Sequence, residues 1–409
     1  MADEQQTHHT PHHPPQPQRI RQADLTVGQP VPYSIYDTYD RLLIRRGRVL
    51  RNESQRQLLL EVGRTDPKEA RSDEVGAPGD PARPASRPEA PGGEPEPPNP
   101  FDVYSHCARA LGQTFRKLNR DPDEFRARLE RLMARLGNII DHDADASLGA
   151  AHLGGEFPAH IAQPIQTAIL CDLVARRQGL PGPRRRELVG AALTANIGML
   201  DIQPELVQQS APLTPEQRAQ VRGHPEVSAR TLVALGIEEG IWLQAVRQHH
   251  ERVDGSGYPE GLTGDAICDE AGILMVADSY LAMVGPRAHR EARDQRSALL
   301  ELFQTGGQLY PTQHAAALIK EMGVFPPGTP VTLSNGEVGV VTHRTDAATQ
   351  PFVCVYAVAS ARRRLPRPER RDLRAEGLEI VAVHTATEVS LPFAPEIAWG
   401  YGQDAKLFM

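Results

Sequence analysis

Two adjacent histidines, His249 and His250, end an apolar stretch and run straight into Glu251-Arg252-Val253-Asp254-Gly255-Ser256-Gly257-Tyr258-Pro259-Glu260-Gly261-Leu262. Neutral imidazole is the commonest metal ligand, and two from one helix end, with others nearby, make a cluster that packing alone does not explain. Buried imidazoles need polar partners and glycines weaken a continuing helix, so a purely structural segment gains little from this composition. The Asp254-Gly255-Ser256-Gly257-Tyr258-Pro259 loop leaves backbone N–H groups free to approach an anion such as a phosphate. Paired histidines on a helix are by themselves more often structural. Followed by this loop, they point to metal and phosphate chemistry.

The pattern HHExxDGSGYPxGLxGxxI resembles the signature of HD-GYP domains, the bacterial branch of the HD metal-phosphohydrolase superfamily. Flanking segments fit too: Leu213-Thr214-Pro215-Glu216-Gln217 and Arg222-Gly223-His224-Pro225 upstream, Val276-Ala277-Asp278-Ser279-Tyr280 and Arg287 downstream. The similarity covers roughly residues 157–305. It implies a helical fold, two or three iron-like metals in active members, and hydrolysis of the signalling dinucleotide cyclic di-GMP. It also implies His224, His249, His250 and Asp278 as metal ligands. Asp254, Gly255, Gly257, Tyr258, Pro259 and Arg287 are the implied substrate-binding positions.

Carried over residue by residue, the resemblance has a gap. The family's HDxGK element falls on Ala195-Asn196-Ile197-Gly198-Met199, and its first histidine falls on Gln163; His160 could substitute only with a shifted helix register. A bridging carboxylate offers two anionic oxygens that hold two cations close, whereas an asparagine amide offers one neutral acceptor and a nitrogen that only donates. Alanine removes a ligand outright. Two-metal hydrolysis needs both cations to generate hydroxide and to neutralise the phosphate in line, and losing one such electrostatic contributor costs roughly 10²–10³ in rate. No catalytic residue is therefore assigned at the degenerate Ala195–Asn196 dyad. Three imidazoles and one carboxylate remain, enough in principle for a single Fe, Mn or Zn ion. One ion, none, and a full multinuclear set all stay open.

The elements that must position these residues are mostly helical. Asp121-Pro122-Asp123-Glu124 has the N-cap, early proline and early acids of a helix start, and Phe125, Leu129, Leu132, Leu136 and Ile140 follow on one face. Similar periodicity runs to about residue 322, which predicts a helical domain over 101–322. After it the apolar period becomes two, and Ser334-Asn335-Gly336-Glu337 between PVTL and VGVVTH predicts a hairpin in a β-rich module over 323–400. On the N-terminal side, His-, Gln- and Pro-rich residues 1–29 read as a disordered tail, 30–64 as a small α+β module and 65–100 as a Pro-rich linker. The fold class expected is mainly α, an HD-GYP-like helical domain between a small α+β module and a β-rich module.

Composition limits the function classes. The 409 residues carry 45 Lys+Arg against 52 Asp+Glu, a net charge of −7, which excludes a bulk polyanion binder and argues against DNA or RNA as partner. No run approaches the length of a membrane span, and the polar start MADEQQTHHT is unlike a secretory signal. Cys107, Cys171, Cys268 and Cys354 lie far apart and read as reduced thiols, so a cytoplasmic location is expected. Weaker signals have bland readings. Asp141-His142-Asp143-Ala144-Asp145 reads as an interhelical turn, Arg184-Arg185-Arg186 and the arginines of 362–371 as solvated faces, and Trp242 as core.

The sequence thus points to a bacterial signalling protein with a degenerate, inactive phosphodiesterase centre that binds cyclic di-GMP or docks a protein partner. The alternative is a metal-dependent cyclic di-GMP phosphodiesterase retaining a reduced metal site.

Overall fold

The computed structural model describes residues 98–118, 121–154, 157–285, 292–358, 363–385 and 391–401 without interruption, together with Glu388 and shorter stretches between residues 18 and 65. It divides into two units, residues 1–93 and 94–409.

In the first unit four short strands, β1 (Gln18–Arg19), β2 (Ile35–Tyr36), β3 (Leu42–Ile44) and β4 (Arg64–Thr65), form a sheet of order β1-β4-β2-β3. Its core comprises Ile20, Leu25, Val31, Tyr33, Ile35, Ile44 and Leu59. The boundary expected at residue 30 therefore moves back to at least Gln18. Ile20 and Leu25 are buried although they stand singly among polar neighbours, and isolated apolar residues carry no periodic signal. Residues 1–17, with the paired histidines of the N-terminal segment, and residues 66–97 of the expected linker lie outside the described residues.

The second unit is built on helices α1 (Pro100–Arg116), α2 (Pro122–His142), α3 (Ala144–Leu153), α4 (Ala159–Arg177), α5 (Gly182–Thr194), α6 (Gln203–Gln208), α7 (Pro215–Ala234), α8 (Ile241–Gln248), α9 (Asp269–Val284), α10 (Gln295–Thr305) and α11 (Thr312–Met322). Helix starts are explicit. Asp121 accepts a hydrogen bond from the Glu124 N–H, and Thr214 and Gln217 form a reciprocal capping box, each such cap contributing about 1 kcal/mol. Helices α4 and α9 are apolar nearly all round and occupy the centre, where Ile165, Ile169, Leu170, Leu274 and Met275 are fully buried. Among the described residues no helix is long and apolar enough to cross a membrane.

The expected hairpin is β5 (Pro330–Leu333) and β6 (Glu337–His343), with Gly336 at φ 85° in the turn. Strands β7 (Phe352–Val358), β8 (Arg363–Asp372) and β9 (Ile380–Val383) complete an antiparallel sheet of order β8-β7-β6-β5-β9. Strand β8, which carries the arginines expected on a solvated face, is an edge; charge and proline suit an edge and hide it from apolar periodicity. The sheet has its own core around Val331, Val341, Val353 and Val355, yet it does not stand apart from the helices. Trp399 packs 5.1 Å from Phe101, fills the space above Gly149 and donates its indole N–H to the Thr342 carbonyl at 2.8 Å. Arg344, the residue after β6, bonds Asp145 and Glu321, tying α3 and α11 to the end of the strand.

Candidate functional site

His224, His249 and His250 come together from different elements, their ligand atoms all within 4.8 Å of one another. The sequence explains how each ring is aimed. Pro225 has no N–H, so the Val221 carbonyl one turn earlier in α7 lacks its helical donor. The His224 ring takes that vacancy, Nδ1 lying 2.7 Å from Val221 O. Helix α8 ends at Gln248, and its terminal carbonyls are likewise unspent; His249 Nδ1 lies 2.7 Å from Val246 O. Both Nδ1 atoms must then carry the proton, which leaves both Nε2 lone pairs facing inward.

Those two Nε2 atoms are 3.2 Å apart. A protonated ring could bridge them, but burial, helped by neighbouring His249, pushes His224 down to about 3, and burial also lowers His249. Two neutral acceptors at hydrogen-bonding distance repel unless a cation lies between them. The arrangement fits a single divalent ion held by imidazole nitrogens, with the backbone carbonyls as the outer shell that fixes tautomer and orientation. Among the described residues this is the one group of three or more His, Cys, Asp or Glu side chains so gathered.

Asp278 is not in that tight group. Its Oδ1 accepts a hydrogen bond from Gln163 Nε2 at 2.8 Å, so Gln163 rather than His160 meets the aspartate. Asp278 is near enough to oppose the lowering of His249 by its negative charge. Ala195 is buried at the end of α5, and Asn196 follows with its Oδ1 buried and without a hydrogen-bond partner. The turn they open docks on α7: Gly198 N donates to Ser228 Oγ at 2.9 Å, and a Cβ on Gly198 would come within 2.8 Å of His224 O.

The glycine loop is held by a residue the sequence reading passed over. Glu251 is fully buried, and its carboxylate accepts the N–H groups of Glu260 at 2.8 Å and Leu262 at 2.9 Å. The pattern offered only a buried carboxylate between a histidine pair and a turn, and its partners lie nine and eleven residues later. Gly257 is required by contact, since a Cβ there would stand 2.4 Å from Arg252 N and from Glu251 Cα. Gly255 is required by its φ of 79°. Asp254 is exposed and accepts from Ser256 N and Oγ, stabilising the turn, and its carboxyl is held below the usual range by those bonds. The Tyr258–Pro259 peptide is cis, and the Tyr258 ring lies 4.7 Å from His250 and tilted 30° to it. Arg287 lies outside the described residues.

The weaker signals resolve into structure. Asp141 pairs with Arg176, Asp143 caps α3 and accepts from Tyr401 Oη, and Asp145 bonds Arg344. Arg184 bonds Glu270, Arg371 pairs with Glu337, and Trp242 is core, donating to Thr194 Oγ1 at 2.9 Å.

Residues 145–312 match the family described as HD domain. A cyclic di-GMP phosphodiesterase of Pseudomonas aeruginosa is 30% identical over 230 residues, 56% of this chain and 53% of the relative. A cyclic di-GMP phosphodiesterase response regulator of Xanthomonas campestris is 34% identical over 151 residues, 36% of this chain and 39% of the relative. A 3'3'-cGAMP-specific phosphodiesterase of Vibrio cholerae is 26% identical over 200 residues, 49% of this chain and 40% of the relative. The chain spans about half the length, or less, of these curated relatives. The family match and these relatives cover the helices that carry the histidine triad and its glycine loop, so this part of the chain is similar to an HD domain and to cyclic dinucleotide phosphodiesterases.

Proposed function

We propose that this chain is a bacterial signalling protein of the HD-GYP type whose phosphodiesterase centre is degenerate and which binds a cyclic dinucleotide, cyclic di-GMP first among them, without efficient turnover. The observation that carries the reading is the hydrogen bond from Gln163 to Asp278. A carboxylate committed to an amide donor is a poorer ligand for a second cation, and Ala195 and Asn196 offer no anionic bridge in its place. His224, His249 and His250 would hold one divalent ion, with Asn196 Oδ1 as a buried neutral oxygen still lacking a partner. When bound, such an ion supplies positive charge that attracts a phosphate oxygen. The loop from Asp254 to Pro259, fixed by Glu251, supplies backbone shape for the ligand. A protein docked at the same loop is a second way for the scaffold to act.

The inward-facing Nε2 pair favours one alternative, a phosphodiesterase working with a single ion on His224, His249, His250 and Asp278. One purified sample of the full chain separates these readings, through elemental analysis, calorimetric titration with cyclic di-GMP and a hydrolysis assay. The proposal expects no more than one metal equivalent, measurable binding and little linear product. Turnover comparable to active relatives, abolished by His249→Ala, would replace it with the alternative.

A further inference from the structure

Some guanidinium groups of the second unit are matched to carboxylates, as Arg176 is to Asp172, Arg184 to Glu270, Arg247 to Glu239 and Arg371 to Glu337. Arg222 and Arg252 are not: among the described residues neither has an ion-pair partner, although both adjoin the histidine triad in sequence. Arg222 is exposed, two residues before His224 on α7, and its guanidinium lies 5.1 Å from the Tyr258 ring that packs on His250. Arg252 follows the loop anchor Glu251; its guanidinium lies 4.9 Å from the Tyr310 ring, and its Nη1 is buried with no hydrogen-bond partner.

The carboxylates that could neutralise them are committed elsewhere. Asp278 accepts from Gln163, Glu251 from two loop amides, and Asp254 from Ser256. An aromatic ring engages the face of a guanidinium and leaves its N–H edge unspent, and that planar fork matches the oxygens of a phosphate. A buried cation edge without an acceptor is costly, so its retention beside a glycine loop and an inward-facing imidazole cluster points to an anionic ligand.

The geometry points to Arg222 and Arg252 as the anion-recognition pair of this site, presenting their N–H edges to a phosphate of a nucleotide seated over the histidine triad. The inference rests on the proposed nucleotide-binding function and names the residues that recognise the ligand's charge. It is tested by calorimetric titration of the full chain with cyclic di-GMP and, separately, inorganic pyrophosphate, comparing wild type with R222A, R252A, R252K and the distant surface control R186A. Arg222 is exposed, so R222A should fold even if R252A does not, and R252K keeps the charge while removing the fork; melting curves check each variant. The expected result is a roughly tenfold or greater loss of affinity for both probes in R222A and R252A, a smaller loss in R252K, and none in R186A. Cyclic di-GMP binding unchanged in R222A and R252K overturns the pair and leaves the proposed function standing. Arginine-dependent binding of pyrophosphate without dinucleotide binding keeps the pair and removes that function. Binding of neither probe removes both.

Discussion

Gln163 donates its side-chain amide to the carboxylate of Asp278 at 2.8 Å, spanning α4 and α9 at the centre of the helical unit. An imidazole at position 163 would instead offer a lone pair to a cation. We expect Gln163→His combined with Ala195→His and Asn196→Asp to raise metal content from at most one equivalent toward two, read by elemental analysis of the purified chain. The same variant should gain cyclic di-GMP hydrolysis by about 10² or more. Stoichiometry that stays at one would show that the site's geometry, and not only its ligand types, has drifted.

The Nε2 pair of His224 and His249 gives a prediction independent of turnover. Manganese or zinc added to the metal-stripped chain should raise its melting temperature, because a ligand that binds only the folded state stabilises it by about 2.7 kcal/mol at a hundred times its dissociation constant. His249→Ala removes one of the paired acceptors and should abolish most of that rise. An equal rise in wild type and variant would place the ion elsewhere.

The loop anchor predicts a local effect. Glu251→Gln keeps one acceptor oxygen and replaces the other with donors, so one of the amides of Glu260 and Leu262 loses its partner. Leaving a buried polar group unsatisfied costs about 1–3 kcal/mol. Hydrogen exchange should speed up at Glu260 and Leu262 while the amides of α4 and α9 stay protected. Gly257→Ala should act more severely, since the added carbon meets backbone that cannot swing aside.

Much of this site was legible because its signals are local. The run from His249 to Pro259 places histidine pair, anchor and turn within one short stretch, and counting along the helices put Gln163 where a histidine was expected. What was illegible depends on tertiary placement. Glu251 looks like any acid until the chain folds back to offer it two amides. Nothing in the sequence marks Arg222 and Arg252, whose neighbouring carboxylates are seen to be engaged by others only in the fold. Strand β8 hid beneath arginines and prolines, and Trp399, in a Pro- and Gly-punctuated segment near the end of the chain, gave no period that would dock it on Phe101.

The joint between sheet and helices predicts a pH dependence away from the histidine triad. His152 on α3 has Nδ1 2.7 Å from Pro327 O and Nε2 3.0 Å from Tyr280 Oη, and burial pushes its imidazole down to about 4, with the Pro327 carbonyl partly opposing. The folded state therefore resists a proton that the unfolded chain accepts near pH 6.5. Stability from this group is intact above that value and is lost as pH falls toward 4, with a contribution on the order of 3 kcal/mol. Denaturant unfolding should show this decline between pH 6.5 and 4 in wild type and a flatter one in His152→Gln, whose amide does not titrate. Equal slopes in the two proteins would assign the acid sensitivity to other groups.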